Sequence, residues 1–181
     1  MKRIDHVLLS REEIRERVAE LGAAIETELD GEELTLLVIL QGSIFFAADL
    51  MRAISLPIYL ESFRVSSYHG GTSSSGRVTF DSTALDDLAD KHVLVVDDIL
   101  DTGRTLNAVV THLRDEIGVA SARSCVLLDK NVERAVEFEA DYVGFRIEDE
   151  FVVGYGLDYM GKYRNLPLIG VLKNEFIEAS S

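Results

Sequence analysis

The sequence contains no tryptophan, two prolines and one cysteine, Cys125. A lone thiol cannot close an internal disulfide, and its neighbours lack the spacing of a metal site. A disulfide scaffold and a cysteine zinc cluster are therefore excluded, and a reducing compartment such as the cytoplasm is the expected setting. No apolar run approaches the roughly 20 residues that span a bilayer. Met1 to Ser10 lacks the long apolar stretch of an export signal, so a soluble, non-exported protein is expected. Basic residues are scarce as well: 18 Lys and Arg face 32 Asp and Glu, a net charge of -14. That field repels nucleic acid and anionic membranes, so neither is expected as a partner. An anionic metabolite feels the same repulsion. A phosphate site here needs local N–H donors, a few placed cations and a divalent ion.

What is present is enough for a core. Hydrophobic residues make up 47% of 181 positions, which fits one domain with a sheet covered on both faces. Ser10 and Glu13 form a capping box, and Ile14, Val18, Leu21, Ile25 and Leu29 then recur at helical spacing, predicting a helix over 11–29. Leu34 to Leu40 is a continuous apolar run too short for most helices and without alternation, which reads as a strand buried on both faces. Ile44 to Ile54 follows with helical spacing, and Pro57 opens an extended stretch from Ile58 to Val65. A second apolar run, His92 to Val96, ends in Asp97-Asp98 and leads through a turn into a helical pattern closed by Gly118. Strands are expected at 122–128, 142–147, 151–153 and 168–172, with a short helix over 132–138. Alternating β and α units predict an α/β fold with a central, mostly parallel sheet flanked by helices. Residues 66–76 hold five Ser and three Gly and no apolar face, a composition shared by linkers and functional loops. Inside a compact domain a loop of that kind reads as a lid.

The chemistry concentrates between Val93 and Thr105. Ligands of open parallel sheets bind beyond the carboxyl ends of strands, and here two carboxylates precede a Gly-containing turn that opens a helix. Thr102, Gly103, Arg104 and Thr105 offer backbone donors, hydroxyls and a cation that suit a phosphate. Asp97 and Asp98 cannot bind phosphate and suit neutral hydroxyls or a metal. A ribose 5-phosphate meets both demands. The bland alternative is a helix cap beside a solvated acidic turn, which three acids with a DTGxT run make the poorer account. The glycine spacing and Lys-Ser/Thr pair of a Walker loop are missing.

The run Val95-Val96-Asp97-Asp98-Ile99-Leu100-Asp101-Thr102-Gly103-Arg104-Thr105 resembles the phosphoribosyl pyrophosphate (PRPP) motif of type I phosphoribosyltransferases. Leu40-Gln41-Gly42-Ser43 is similar to that family's pyrophosphate loop, and Ser67-Tyr68 to the start of its catalytic lid. Leu128-Asp129-Lys130 resembles its purine-selecting segment, and Phe151 to Tyr159 its purine hood. Asp101, the third acid, points to the branch that acts on 6-oxopurines.

The resemblance implies a single domain: a core over about 30–148, a hood over about 149–181 with part of the N-terminus, and a lid at 66–76. It implies Mg2+-dependent purine salvage, in which hypoxanthine or guanine and PRPP give IMP or GMP and pyrophosphate. Asp101 then serves as acid/base opposite N7, and Asp97, Asp98, Thr102, Gly103, Arg104 and Thr105 hold the ribose 5-phosphate. Gln41, Gly42 and Arg164 receive pyrophosphate, with a cis peptide expected at Gln41-Gly42. Gln41 stands where the family commonly has Lys, which shifts the load to Arg164 and Mg2+. Lys130 donates to O6, Phe151 stacks on the purine, and the carbonyls of Val152 and Asp158 accept from a 2-amino group. The Asp158 carboxylate holds Mg2+ through water. A homodimer or homotetramer is also implied. Two rivals remain: a xanthine-preferring enzyme, and a PRPP-sensing regulator that binds nucleic acid, against which the missing basic face speaks.

Overall fold

A computed structural model of the chain describes residues 3–29, 31–67, 78–80 and 85–178. Its main sheet has six strands in the order β4-β3-β2-β5-β6-β7. These are β2 (Leu34–Leu40), β3 (Ile58–Ser67), β4 (Val78–Phe80), β5 (His92–Leu100), β6 (Ser121–Lys130) and β7 (Tyr142–Ile147). Five run parallel, and the short edge strand β4 pairs antiparallel with β3. The α/β class expected from the alternating pattern is the class observed.

Alternation along the buried strands sorts their side chains between two cores. Leu34, Leu36 and Val38 pack with α1 (Arg11–Leu29) and α2 (Ile44–Ala53), whereas Leu37 and Ile39 face α3 (Arg104–His112). Helix α1 starts where the capping box requires. Ser10 Oγ donates to Glu13 Oε2 at 2.6 Å, and the Glu13 amide returns to Ser10 Oγ at 3.3 Å. Its buried stripe is Ile14, Val18, Leu21 and Ile25. Gly22 belongs to this stripe because a Cβ there would lie 2.7 Å from that of Ala53 on α2. Arg17 pins the helix to β7 by donating to the carbonyls of Val143 and Gly144 at 2.9 and 2.8 Å. Helix α3 runs on into a π-helical turn, Leu113–Ile117, which Gly118 ends with φ of 73°.

A second, antiparallel sheet joins distant parts of the chain in the order β1-β9-β8: β1 (Ile4–Leu9), β9 (Ile169–Leu172) and β8 (Val152–Val153). The short helix α4 (Asn174–Glu178) follows β9. Among the described residues no helix is long and apolar enough to cross a membrane.

Three expectations need correction. Residues 132–138 are irregular rather than helical, because their polar groups turn back to the neighbouring loop: Ala135 N donates to Thr102 O at 3.0 Å, and the Arg134 guanidinium to the carbonyl of Leu100 at 3.1 Å. Strand β5 does not stop at Val96. Its pairing with β6 continues to Leu100 opposite Asp129, so Asp97 and Asp98 stand within the strand. Strand β1 was not expected at all, since its partner β9 lies at the other end of the chain. Tyr68 and the rest of the lid segment, 68–76, lie outside the described residues, and Ser67 is placed only as the last residue of β3.

Candidate active site

Strand β5 carries its acids into the interior. Asp97 is 9% exposed, and its Oδ1 accepts from the Asp98 amide at 2.9 Å. Burial pushes the Asp97 carboxyl well above the ordinary carboxylate range, and the adjacent Asp98 charge adds to the rise. Burial raises Asp98 too. There the rise is offset by hydrogen bonding to Asp97 and to backbone N–H groups, and by the positive charge of Arg164. The fold therefore favours the protonated form of Asp97 more strongly than that of Asp98. Two adjacent carboxyl groups on one strand can engage a vicinal pair of hydroxyls.

The turn that follows is built for close approach. Gly103, with φ of 81°, precedes the first turn of α3, and its Cα lies against Val136 and Phe138. Asp101, Thr102 and Arg104 are exposed, and Thr105 is half-buried. The opening N–H groups of α3 have no intrahelical partners, which makes the turn a receptor for an anionic oxygen.

Two loops meet beside Asp98. A Cβ on Gly42 would lie 1.6 Å from Asp98 Oδ2, so only glycine lets the loop after β2 reach the acid. On the other side, a Cβ on Gly156 would lie 1.9 Å from the Gly42 carbonyl oxygen. The Gly156 carbonyl accepts from Arg164 Nη1 at 2.6 Å, and Arg164 Nη2 pairs with Asp158 Oδ1 at 2.6 Å. The other Asp158 oxygen accepts from the Gly161 amide at 2.7 Å. Gly42, Asp98, Asp158 and Arg164 thus form one continuous set with Gln41 at its edge. The cis peptide is Leu40–Gln41, one bond before the expected Gln41-Gly42; Gly42 instead supplies the close contact to Asp98.

The remaining site residues gather on a separate wall. Lys130, at the end of β6, has a side chain only 14% exposed, and its Nζ donates to Asp149 Oδ1 at 3.0 Å. Phe151 meets Tyr159 edge to face at 5.4 Å and keeps one side open. Val152 is buried in β8. Lys130, Asp149 and Phe151 line a cavity of about 800 Å3 whose other walls include His6, Val171 and Lys173. The Asp97–Thr105 turn does not line that cavity, so the structure gathers the expected site residues in two groups.

Two residues without any sequence signal join these groups. Asp149 orients Lys130, and Arg134 ties the carbonyls of Leu100 and Asp101 to the Asp129 carboxylate. Neither belongs to a recognisable motif. An acid in an acidic stretch and a lone Arg in an apparently helical segment look like surface charges.

A glycine turn with donors suited to phosphate, behind a buried acid pair suited to hydroxyls, is an arrangement fit for a sugar phosphate in an α/β domain. Comparison with known proteins narrows it. The family model described as "Phosphoribosyl transferase domain" matches residues 8–160. The chain is 49% identical over 175 residues to the hypoxanthine-guanine phosphoribosyltransferase of Streptococcus pneumoniae (strain ATCC BAA-255 / R6), covering 95% of each sequence. Among solved structures it is similar to a hypoxanthine phosphoribosyltransferase from Staphylococcus aureus, with TM-score 0.87 and 42% identity over 97% of this chain and 95% of that one. It is also similar to the Trypanosoma cruzi hypoxanthine phosphoribosyl transferase, with TM-score 0.91 and 38% identity over 99% and 97%. The chain belongs to the phosphoribosyl transferase family, in its hypoxanthine-guanine branch.

Proposed function

We propose that this chain transfers the phosphoribosyl group of PRPP to N9 of hypoxanthine or guanine, giving IMP or GMP and releasing pyrophosphate. The observation that carries this reading is the convergence of the Gly42 loop, Asp98 and the Asp158–Arg164 pair at the mouth of a phosphate-binding turn. Thr102, Gly103, Arg104 and Thr105 receive the 5-phosphate through N–H and hydroxyl donors. Asp97 and Asp98 hold the ribose hydroxyls. Arg164 and the Gln41–Gly42 loop meet the diphosphate, whose departure leaves positive charge on the ribosyl carbon. Asp101, exposed above the turn, moves the purine proton at N7.

Lys130 donates to O6 and would meet a second donor on adenine, which explains a preference for 6-oxopurines. Phe151 stacks on the base, while the Val152 and Asp158 carbonyls accept from a 2-amino group. The hood formed by β1, β8 and β9 covers the base, and the 66–76 segment is assigned as the lid. Among the described residues no group of three or more His, Cys, Asp or Glu could hold a metal alone. One half-buried carboxylate beside a diphosphate nevertheless fits Mg2+, which binds through one or two protein carboxylates with waters and phosphate oxygens. Asp158 would hold it through water, and the bound ion would neutralise the leaving diphosphate. A homodimer or homotetramer in the cytoplasm completes the proposal.

Incubation with PRPP, Mg2+ and each of hypoxanthine, guanine, xanthine, adenine and uracil, with nucleotides separated by chromatography, tests it. IMP and GMP are the expected products, and chelation by EDTA should stop the reaction. Predominant XMP would favour a xanthine enzyme, and no nucleotide from any base would overturn the transferase reading. Asp101→Asn should slow IMP formation by about 10- to 1000-fold. Near-parental rates would remove Asp101 as acid/base.

A further inference from the structure

In the irregular segment between β6 and β7, one side chain reaches back to the ends of two strands. Arg134 Nη1 donates to the Leu100 carbonyl at 3.1 Å and to the Asp101 carbonyl, while Nη2 donates to Asp129 Oδ1. The guanidinium is 23% exposed and the Asp129 carboxylate 15%. Leu100 and Asp129 are paired across β5 and β6, so the planar fork closes over the ends of two neighbouring strands. Each end leads to a chemical group: Asp101 follows Leu100, and Lys130 follows Asp129. Arg146 also approaches Asp129, at 3.7 Å, but its side chain is 85% exposed and reaches no carbonyl of the turn.

We infer that Arg134 is a positioning residue for the transfer reaction, holding the Asp101 backbone in fixed register with the Lys130 segment. The two groups that meet the purine, at N7 and at O6, are then set by one rigid cation. Guanidinium suits this task because it stays charged and offers donors in a fixed plane, which a single ammonium cannot reproduce. The inference rests on the roles proposed above for Asp101 and Lys130. It assigns Arg134 no contact with substrate.

Steady-state kinetics of Arg134→Gln, Arg134→Lys, Arg146→Gln and Asp101→Asn, expressed per site that binds IMP saturably, separate the possibilities. Arg134→Gln is expected to lower kcat about 10- to 100-fold, since displacements near 1 Å cost about that much. Its KM for PRPP should stay within about threefold, because Arg104 and Thr105, two of the four 5-phosphate donors, sit in the first turn of α3. Arg134→Lys should recover only part of the loss, and Arg146→Gln should keep kcat within about twofold. A parental kcat for Arg134→Gln overturns the inference, as does a loss confined to KM for PRPP. Should that variant fail to fold, Asp129→Asn removes the far anchor of the same fork and carries the same expectation. Unimpaired Asp101→Asn overturns the acid/base reading and this inference with it. Impaired Asp101→Asn beside an unimpaired Arg134→Gln overturns this inference alone.

Discussion

Gly42→Ala places a methyl group where there is no room. The new Cβ would stand 1.6 Å from Asp98 Oδ2, and real Cβ atoms essentially never come within 3.0 Å of a neighbour, so something must retreat by about 1.4 Å. The Gly42 carbonyl is already backed by Gly156 at a distance that leaves no space for a Cβ, so the loop cannot retreat that way and the Asp98 carboxylate must turn aside. Reacting groups displaced by 1 Å lose about 100-fold in rate, so kcat for IMP formation should fall by about 100-fold or more. Overpacking of this kind costs about 1–3 kcal/mol, and each kcal/mol lowers Tm by about 2–4 °C in a domain of this size. The fold should therefore survive with its Tm down by roughly 2–12 °C. Initial rates at saturating PRPP and hypoxanthine, with thermal melts of the same preparations, measure both effects. Gly31→Ala is the control for backbone strain: a Cβ there meets nothing within 4 Å but φ is 88°, so its Tm should fall while its kcat stays parental. If Gly42→Ala turns over within about threefold of the parent, the close packing of loop and acid does not govern the reaction.

Two further outcomes follow from the acids and from Lys130. In the free protein the folded state holds a proton on Asp97 at pH values where the unfolded chain has released it, so stability falls as pH rises from the ordinary carboxylate value, about 3.9, through the raised one. Asp97→Asn should flatten that slope and raise Tm at pH 7 by about 3–5 °C for each pH unit of elevation removed, while KM for PRPP increases; melts whose stability rises over the same interval in the parent would contradict this. Lys130→Met should lower kcat/KM for hypoxanthine by about 10- to 150-fold, the worth of a hydrogen bond from a charged donor, and should erase the preference over adenine. A variant that still strongly prefers hypoxanthine would place the selection elsewhere.

The parts of the fold legible in the sequence are those governed by local pattern. Helix α1 and strand β2 end where their periodicity and apolar content end, because capping and burial act over a few neighbouring residues. Asp97 to Leu100 were harder to place: two acids mask a strand that β6 keeps paired. The β1-β9-β8 sheet was still less legible, since β8 has two residues and β1 finds its partner 160 or more positions away. For the site, the acids and the glycine turn of residues 97–105 stood out by residue type, and the Gln41 loop only by its resemblance to the family. Arg134 and Asp149 act through carbonyls and side chains brought close only by the folded chain, and no spacing marks such partners in advance.

The pairing of β1 with β9 also imposes an order on biosynthesis. A chain emerging from the ribosome has made all six strands of the main sheet by Ile147, yet β8 has no neighbour to zip onto until Ile169 to Leu172 are polymerised. The acid pair and glycine turn proposed for the sugar phosphate are thus complete before the β1-β9-β8 sheet can assemble.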